Sequence, residues 1–158
     1  MKIIVLTIGK TQDSLMAQAI DRYASRITHY APFQYIQLPD VKTGRGGVGA
    51  ERQKEMEGQL LLQNIQPGDR VVLLDERGRE YTSREFAALI DRSMVTLQRN
   101  LVFVIGGPYG FSADVYNRAD SQIALSRMTL THEMARLFFT EQIYRAFTII
   151  RGEPYHHD

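Results

Sequence analysis

The sequence predicts an α/β fold: a mostly parallel sheet covered by helices on both faces. Two observations carry this reading. Three short runs, at 2–8, 70–74 and 101–105, are apolar almost throughout, and stretches of helical periodicity separate them. Strands buried on both faces read as unbroken Ile, Val and Leu runs, and parallel neighbours need crossover connections, usually helices. The 158 residues suit one domain, spanning 1–158 without a linker or an internal repeat.

Residues 2–8 read as the first buried strand, closed by Gly9. Asp13 or Ser14 can cap a helix in which Leu15, Ala19, Tyr23 and Ile27 recur at fours, ending near Tyr30 and Pro32. Phe33 to Leu38 alternates apolar and polar, the pattern of a half-exposed strand at or near an edge. A helix over 50–65 is stopped by Pro67-Gly68, and Arg70 to Leu74 is the next buried strand. Asp75-Glu76-Arg77-Gly78 has turn chemistry. Thr82-Ser83-Arg84-Glu85 has capping-box spacing and opens a helix to about Leu97. Leu101 to Ile105 is a third buried strand, ending in Gly106-Gly107-Pro108-Tyr109-Gly110. A short helix, a strand at 121–125 and a long helix over about 132–149 complete the order.

Composition excludes several function classes. Cysteine is absent, so there is no disulfide framework, thiolate metal site or cysteine nucleophile. Its absence fits a reducing cytoplasm, the expected location. No run approaches the roughly 18 apolar residues of a membrane span, and the apolar start at Met1 to Ile8 is shorter than a signal-peptide core. A formal charge of +1 announces no nucleic-acid partner.

Ligands of open α/β sheets bind beyond the carboxyl ends of the strands. Three such ends are informative here: Leu74-Asp75, Gly106 to Gly110, and Leu125-Ser126-Arg127-Met128-Thr129-Leu130. Two motif matches fail. Gly44-Arg45-Gly46-Gly47-Val48-Gly49 has the spacing of a dinucleotide fingerprint, but residues 39–43 separate it from its strand, so the pyrophosphate could not meet the helix start. His132-Glu133-Met134-Ala135-Arg136 is one residue short of a zinc motif, because a guanidinium cannot bind the metal. The terminal His156-His157-Asp158 is a poor preformed chelator, so no metal is expected.

The last helix is apolar nearly all round. Only Glu133, Arg136 and Thr140 form a coherent polar stripe, while Glu141, Gln142 and Arg145 fall inside the apolar arc. A helix of this kind is buried on more than one side. A second copy of the chain supplies that side most simply, so a homodimer through the C-terminal helix is expected, with each site close to partner residues.

Four separated motifs then carry a resemblance. Phe103-Val104-Ile105-Gly106-Gly107-Pro108-Tyr109-Gly110, Leu125 to Leu130, Glu141-Gln142-Ile143-Tyr144-Arg145-Ala146 and Pro154-Tyr155-His156 occur in the order found in one family. The chain resembles the small SPOUT-class methyltransferases that methylate N3 of pseudouridine 1915 in 23S ribosomal RNA. That resemblance implies a C-terminal trefoil knot, a homodimer, and S-adenosylmethionine as methyl donor. Its cofactor contacts would be Leu74, Gly106, Leu125, Ser126, Arg127, Met128, Thr129 and Leu130. Those are the three strand ends already singled out. Two positions depart from the family pattern: Thr131 stands where Pro is common, and His157-Asp158 where a basic residue is common. Thr131 can serve as a helix cap.

An activated sulfonium methyl needs no metal and no covalent intermediate; what remains is in-line positioning and removal of the N3 proton. Candidates to meet the base are Tyr155 and His156, with His132 and Arg136 at the opening of the last helix. Imidazole accepts a proton near neutral pH, and a tyrosine ring can stack on a base. The low charge leaves few cations for phosphates, so the expected substrate is 23S rRNA within the ribosome rather than naked RNA. The competing readings are a non-catalytic ribosome- or RNA-binding module with a vestigial nucleotide pocket, and a small-molecule nucleotide-binding enzyme.

Overall fold

The computed structural model describes residues 1–41 and 49–157. Its elements follow the expected order: β1 (Ile3–Ile8), α1 (Ser14–Ile27), β2 (Phe33–Leu38), α2 (Ala50–Gln63), β3 (Arg70–Glu80), α3 (Ser83–Thr96), β4 (Leu101–Ile105), α4 (Ala113–Arg118), β5 (Ser121–Ala124) and α5 (His132–Ile150). The strands form one sheet in the order β2-β1-β4-β3-β5. Every pairing between them is parallel, with Val5 opposite both Tyr35 and Phe103, and Val72 opposite Phe103. The alternating β2 lies at an edge, as its half-exposed pattern requires.

Side chains alternate across a strand, so each buried strand feeds two cores. Ile3, Val5, Leu101, Phe103 and Ile105 face α1, α3 and α5, where Phe86, Phe103 and Phe139 meet with ring centroids 4.9–5.9 Å apart. Leu6, Val71, Leu73, Val102 and Val104 face α2 and α4, against Leu61 and Val115. Phe103 and Phe139 meet edge to face and the other two pairs are tilted, contacts that add to the area the rings bury.

The caps are those the sequence indicates. Asp13 accepts from the backbone N–H of Leu15 and Met16 at 2.9 and 3.0 Å. Thr82 and Glu85 form the full capping box, at 3.1 Å and 2.8 Å. Thr131 accepts from Met134 N–H at 3.2 Å, so the substitution at that position keeps the cap of α5.

Two local expectations are corrected. Asp75 to Gly78 is not a turn that ends β3: the strand runs on to Glu80, with a register shift in which both Leu74 and Arg79 pair with Ile123 of β5. Leu15 is 75% exposed, because the inward stripe of α1 is Ile20 and Ile27 flanked by half-buried Tyr23 and Ala24. The polar stripe of α5 faces inward, with Arg136 and Thr140 both buried. Its outermost large apolar side chains are Met134 and Phe138, each more than a third exposed. Of the Gly44 to Gly49 run only Gly49 is among the described residues, and it precedes α2 as its cap. No helix among those residues is long and apolar enough to cross a membrane.

Candidate active site

Because the strands are parallel, the bulge of β3 beyond Leu74 and the carboxyl ends of β4 and β5 open on one edge of the sheet. There they surround a cavity of about 640 Å³, within the size range of nucleoside and cofactor pockets. All eight residues expected at the cofactor line it: Leu74 from β3, Gly106 beyond β4, and Leu125, Ser126, Arg127, Met128, Thr129 and Leu130 between β5 and α5. The last segment is a tight connection. Ser126 Oγ accepts from Met128 N–H at 2.9 Å, and Arg127 reaches Glu80 at 3.3 Å.

The glycine loop is held from behind. A Cβ on Gly106 would lie 2.9 Å from the Phe111 ring, and one on Gly107 would lie 2.6 Å from Glu57 Oε2. No larger residue fits either place without displacing a packed neighbour. Glu57, on α2, is 4% exposed; its Oε1 accepts from Gln53 at 3.1 Å while Oε2 has no partner among the described residues.

The cavity also has a polar wall, of which sequence reasoning singled out Asp75 at the Leu74-Asp75 strand end but missed its partners Tyr116 and Arg77. Asp75 accepts from the Tyr116 hydroxyl and from Arg77 N–H at 2.8 Å, and Arg77 donates to the Tyr116 oxygen at 2.8 Å. Burial, then the Asp75 carboxylate, pushes the Tyr116 phenol upward, so it remains a donor. Lys54 of α2 completes this side. Nothing local in the sequence tied Tyr116, 41 residues on, to Asp75.

The four residues expected to meet the substrate divide into three groups. His132, the first residue of α5, lines the cavity rim with Ala135. Arg136 is 5% exposed and turned into the fold, donating to the carbonyls of Ile8 at 2.5 Å and Gly9 at 2.9 Å and to Thr11 Oγ1 at 3.2 Å. It holds the end of β1 and is not part of the cavity lining.

Tyr155 and His156 lie together at the other end of α5. Tyr155 donates to Glu141 Oε1 at 2.9 Å, and Glu141 also pairs with Arg145 at 2.6 Å. The guanidinium of Arg145 stands 4.8 Å from the Tyr155 ring centroid and 3.2 Å from His156 Nδ1. Burial and the neighbouring Glu141 carboxylate hold the Tyr155 phenol well above its ordinary value, so it keeps its proton. From His132 to Glu141 is nine residues of helix, about 13 Å at 1.5 Å per residue. Cavity and tail are therefore separated within one chain.

Comparison with known proteins follows the same outline. Residues 1–156 match the family model described as "Predicted SPOUT methyltransferase". A relative from Porphyromonas gingivalis, named ribosomal RNA large subunit methyltransferase H, is 52% identical over 158 residues, covering all of both chains. A protein of the same name from Parabacteroides distasonis is 50% identical over the same full length. In fold, the chain is similar to the crystal structure of a probable methyltransferase from Bordetella pertussis Tohama I, at TM-score 0.57 and 12% identity, covering 92% of this chain and 94% of that one.

Proposed function

The chain belongs to the SPOUT methyltransferase family, and from that premise we propose that it methylates ribosomal RNA. The donor is S-adenosylmethionine and the target is N3 of pseudouridine 1915 in 23S rRNA, acted on in the assembled ribosome. The observation that supports this reading best is that three strand ends, distant in sequence, line one cavity of nucleoside size. The family's trefoil knot and a cytoplasmic location belong to the same proposal.

The cavity residues fit the donor. Gly106 and the 125–130 segment offer backbone groups at close range, and Leu74 and Leu125 offer apolar surface for a base. When bound, the donor supplies an activated methyl on a sulfonium. The chain's own groups orient the two reactants and exclude water, which is where most of such a rate gain arises. His132 stands at the rim where the RNA base enters. Tyr155, kept protonated, can orient the base through its hydroxyl or its ring, and His156 takes the N3 proton on Nδ1 once that nitrogen leaves Arg145, whose guanidinium it faces at 3.2 Å. Arg136 acts only by fixing the end of β1 beside the start of α5.

Tyr155 and His156 reach a cavity by crossing between two copies. An antiparallel pairing of α5 with a two-fold axis at the exposed Phe138 sets positions equally distant from it opposite one another. Glu141 of one copy then faces Ala135 of the other, and Arg145 faces Thr131. The tail held by those two side chains arrives at the partner's rim.

The test is to incubate the protein with labelled adenosylmethionine and ribosomes lacking the modification, then map the methylated nucleoside. Label on N3 of that pseudouridine supports the reading. Failure of calorimetric titration to detect donor binding at millimolar concentration would favour a non-catalytic RNA-binding module instead.

A further inference from the structure

Beside the tail, at the shared end of α1 and α5, four tyrosines gather. Tyr144 lies 5.8 Å from Tyr23, 6.2 Å from Tyr30 and 4.8 Å from Tyr155, centroid to centroid. Two guanidinium groups cover this cluster. Arg26 stands 5.7 Å from the Tyr23 ring and 5.5 Å from that of Tyr144, and Arg151 stands 5.6 Å from Tyr30. Both arginines are exposed, and neither pairs with a described carboxylate. The nearby acids are already engaged, Glu141 by Arg145 and Tyr155, and Glu153 by the Tyr30 hydroxyl at 2.7 Å.

From this arrangement we infer that the Arg26–Arg151 face is a second contact surface for the RNA substrate, one that docks the strand while Tyr155 and His156 meet the reacting base. The inference rests on the reading of the protein as an RNA methyltransferase. A guanidinium within about 6 Å of an aromatic ring is attracted to it, and it is planar and more weakly hydrated than an ammonium. Its outer face is then a ready platform for an unpaired base, and its edge N–H groups can take a phosphate. An acidic peptide would use the charge but not the flat stack. A single-stranded RNA loop uses both, which is why RNA is the occupant. The chain as a whole is almost neutral, with 19 basic and 18 acidic residues, so RNA affinity must come from local, uncompensated cations such as these.

The experiment compares wild type with Arg26→Ala, Arg151→Ala and Arg26→Lys on ribosomes lacking the modification, over a range of salt. For either alanine variant the expected result is a KM for ribosomes raised tenfold or more, with kcat and calorimetric affinity for adenosylmethionine unchanged. The dependence of log affinity on log salt should flatten by about one unit per arginine removed. Arg26→Lys should keep the salt slope and still lose affinity, because the charge survives and the planar stack does not. An unchanged KM, an unchanged salt slope in the alanine variants, or complete rescue by lysine overturns the inference. So does a loss that tracks a change in oligomeric state measured by sedimentation. A wild-type protein that binds adenosylmethionine but labels no RNA overturns the methyltransferase reading itself, and the docking surface with it.

Discussion

Arg136 shows how much one side chain can decide. Its guanidinium spends its hydrogen bonds on the carbonyls of Ile8 and Gly9, at the end of a central strand. Arg136→Met keeps the apolar stem but leaves both carbonyls buried without donors. Charge-assisted bonds are worth roughly 1.5–3 kcal/mol each, and the lost pair should lower stability by about 3 kcal/mol in urea unfolding. Donor affinity should fall only as far as the fold does. Tyrosine ionisation gives a second residue-scale expectation. The Tyr30 phenol is pushed up to about 12, first by its hydrogen bond to Glu153 and then by burial, and Tyr155 is raised by burial and Glu141. An unfolded tyrosine loses its proton near pH 10. Below that pH both states hold the proton, and the contribution is fully present. As pH climbs from about 10 to 12 only the unfolded chain releases it, so stability falls. Urea midpoints measured across that window should decline, and Tyr30→Phe should remove part of the decline.

At the scale of elements, β3 and β5 hold the feature least visible in the sequence. Asp-Glu-Arg-Gly is turn-forming in isolation, yet these residues bulge within a strand that pairs with Ile123 twice. The second pairing is a tertiary event with no local signature. Gly78 is what allows it, since a Cβ there would lie 2.6 Å from the backbone N and C of Ile123. Backbone cannot move aside as a side-chain tip can. Gly78→Ala should therefore cost near the upper end of the about 1–3 kcal/mol usual for overpacking, read from the shift in urea midpoint. It should also weaken adenosylmethionine binding, because β5 leads straight into Leu125. By contrast, the strand ends that line the cavity were legible. A buried parallel strand announces itself by an unbroken apolar run, and parallel strands put their carboxyl ends on one edge. The capping box at Thr82 was legible too, being a purely local bond pattern. The direction of the α5 polar stripe was not: periodicity groups Arg136 with Thr140, but a long side chain that satisfies strand-end carbonyls faces inward as readily as out.

At the scale of the whole molecule, the question is why one chain keeps its cavity at the start of a 19-residue helix and its tail folded back against Glu141 and Arg145 further along it. The two-fold assembly proposed through α5 would make that separation useful, since each tail would then serve the other copy's cavity. This arrangement has a consequence that no monomeric enzyme shares. Take one variant with a damaged tail, His156→Ala, and one with a filled cavity, Leu130→Trp, each inactive as a homodimer. Random re-association of equal amounts makes half the dimers mixed. In a mixed dimer both defects belong to the same composite site, formed by the tail of one copy and the cavity of the other. The second site draws an intact tail and an intact cavity. About a quarter of all sites should then work, measured as methyl transfer to ribosomes after mixing, unfolding and refolding together. Mixing without exchange should restore nothing, which excludes simple contamination. If each tail instead folds onto its own cavity, every site in the mixed dimer carries one defect, and activity stays absent however the subunits are paired. Phe138→Asp, at the proposed axis, should give a monomer that binds adenosylmethionine normally and transfers no methyl. Phe138 is 39% exposed in the isolated chain, so the variant's urea midpoint, measured beside wild type, separates loss of the contact between subunits from loss of the fold.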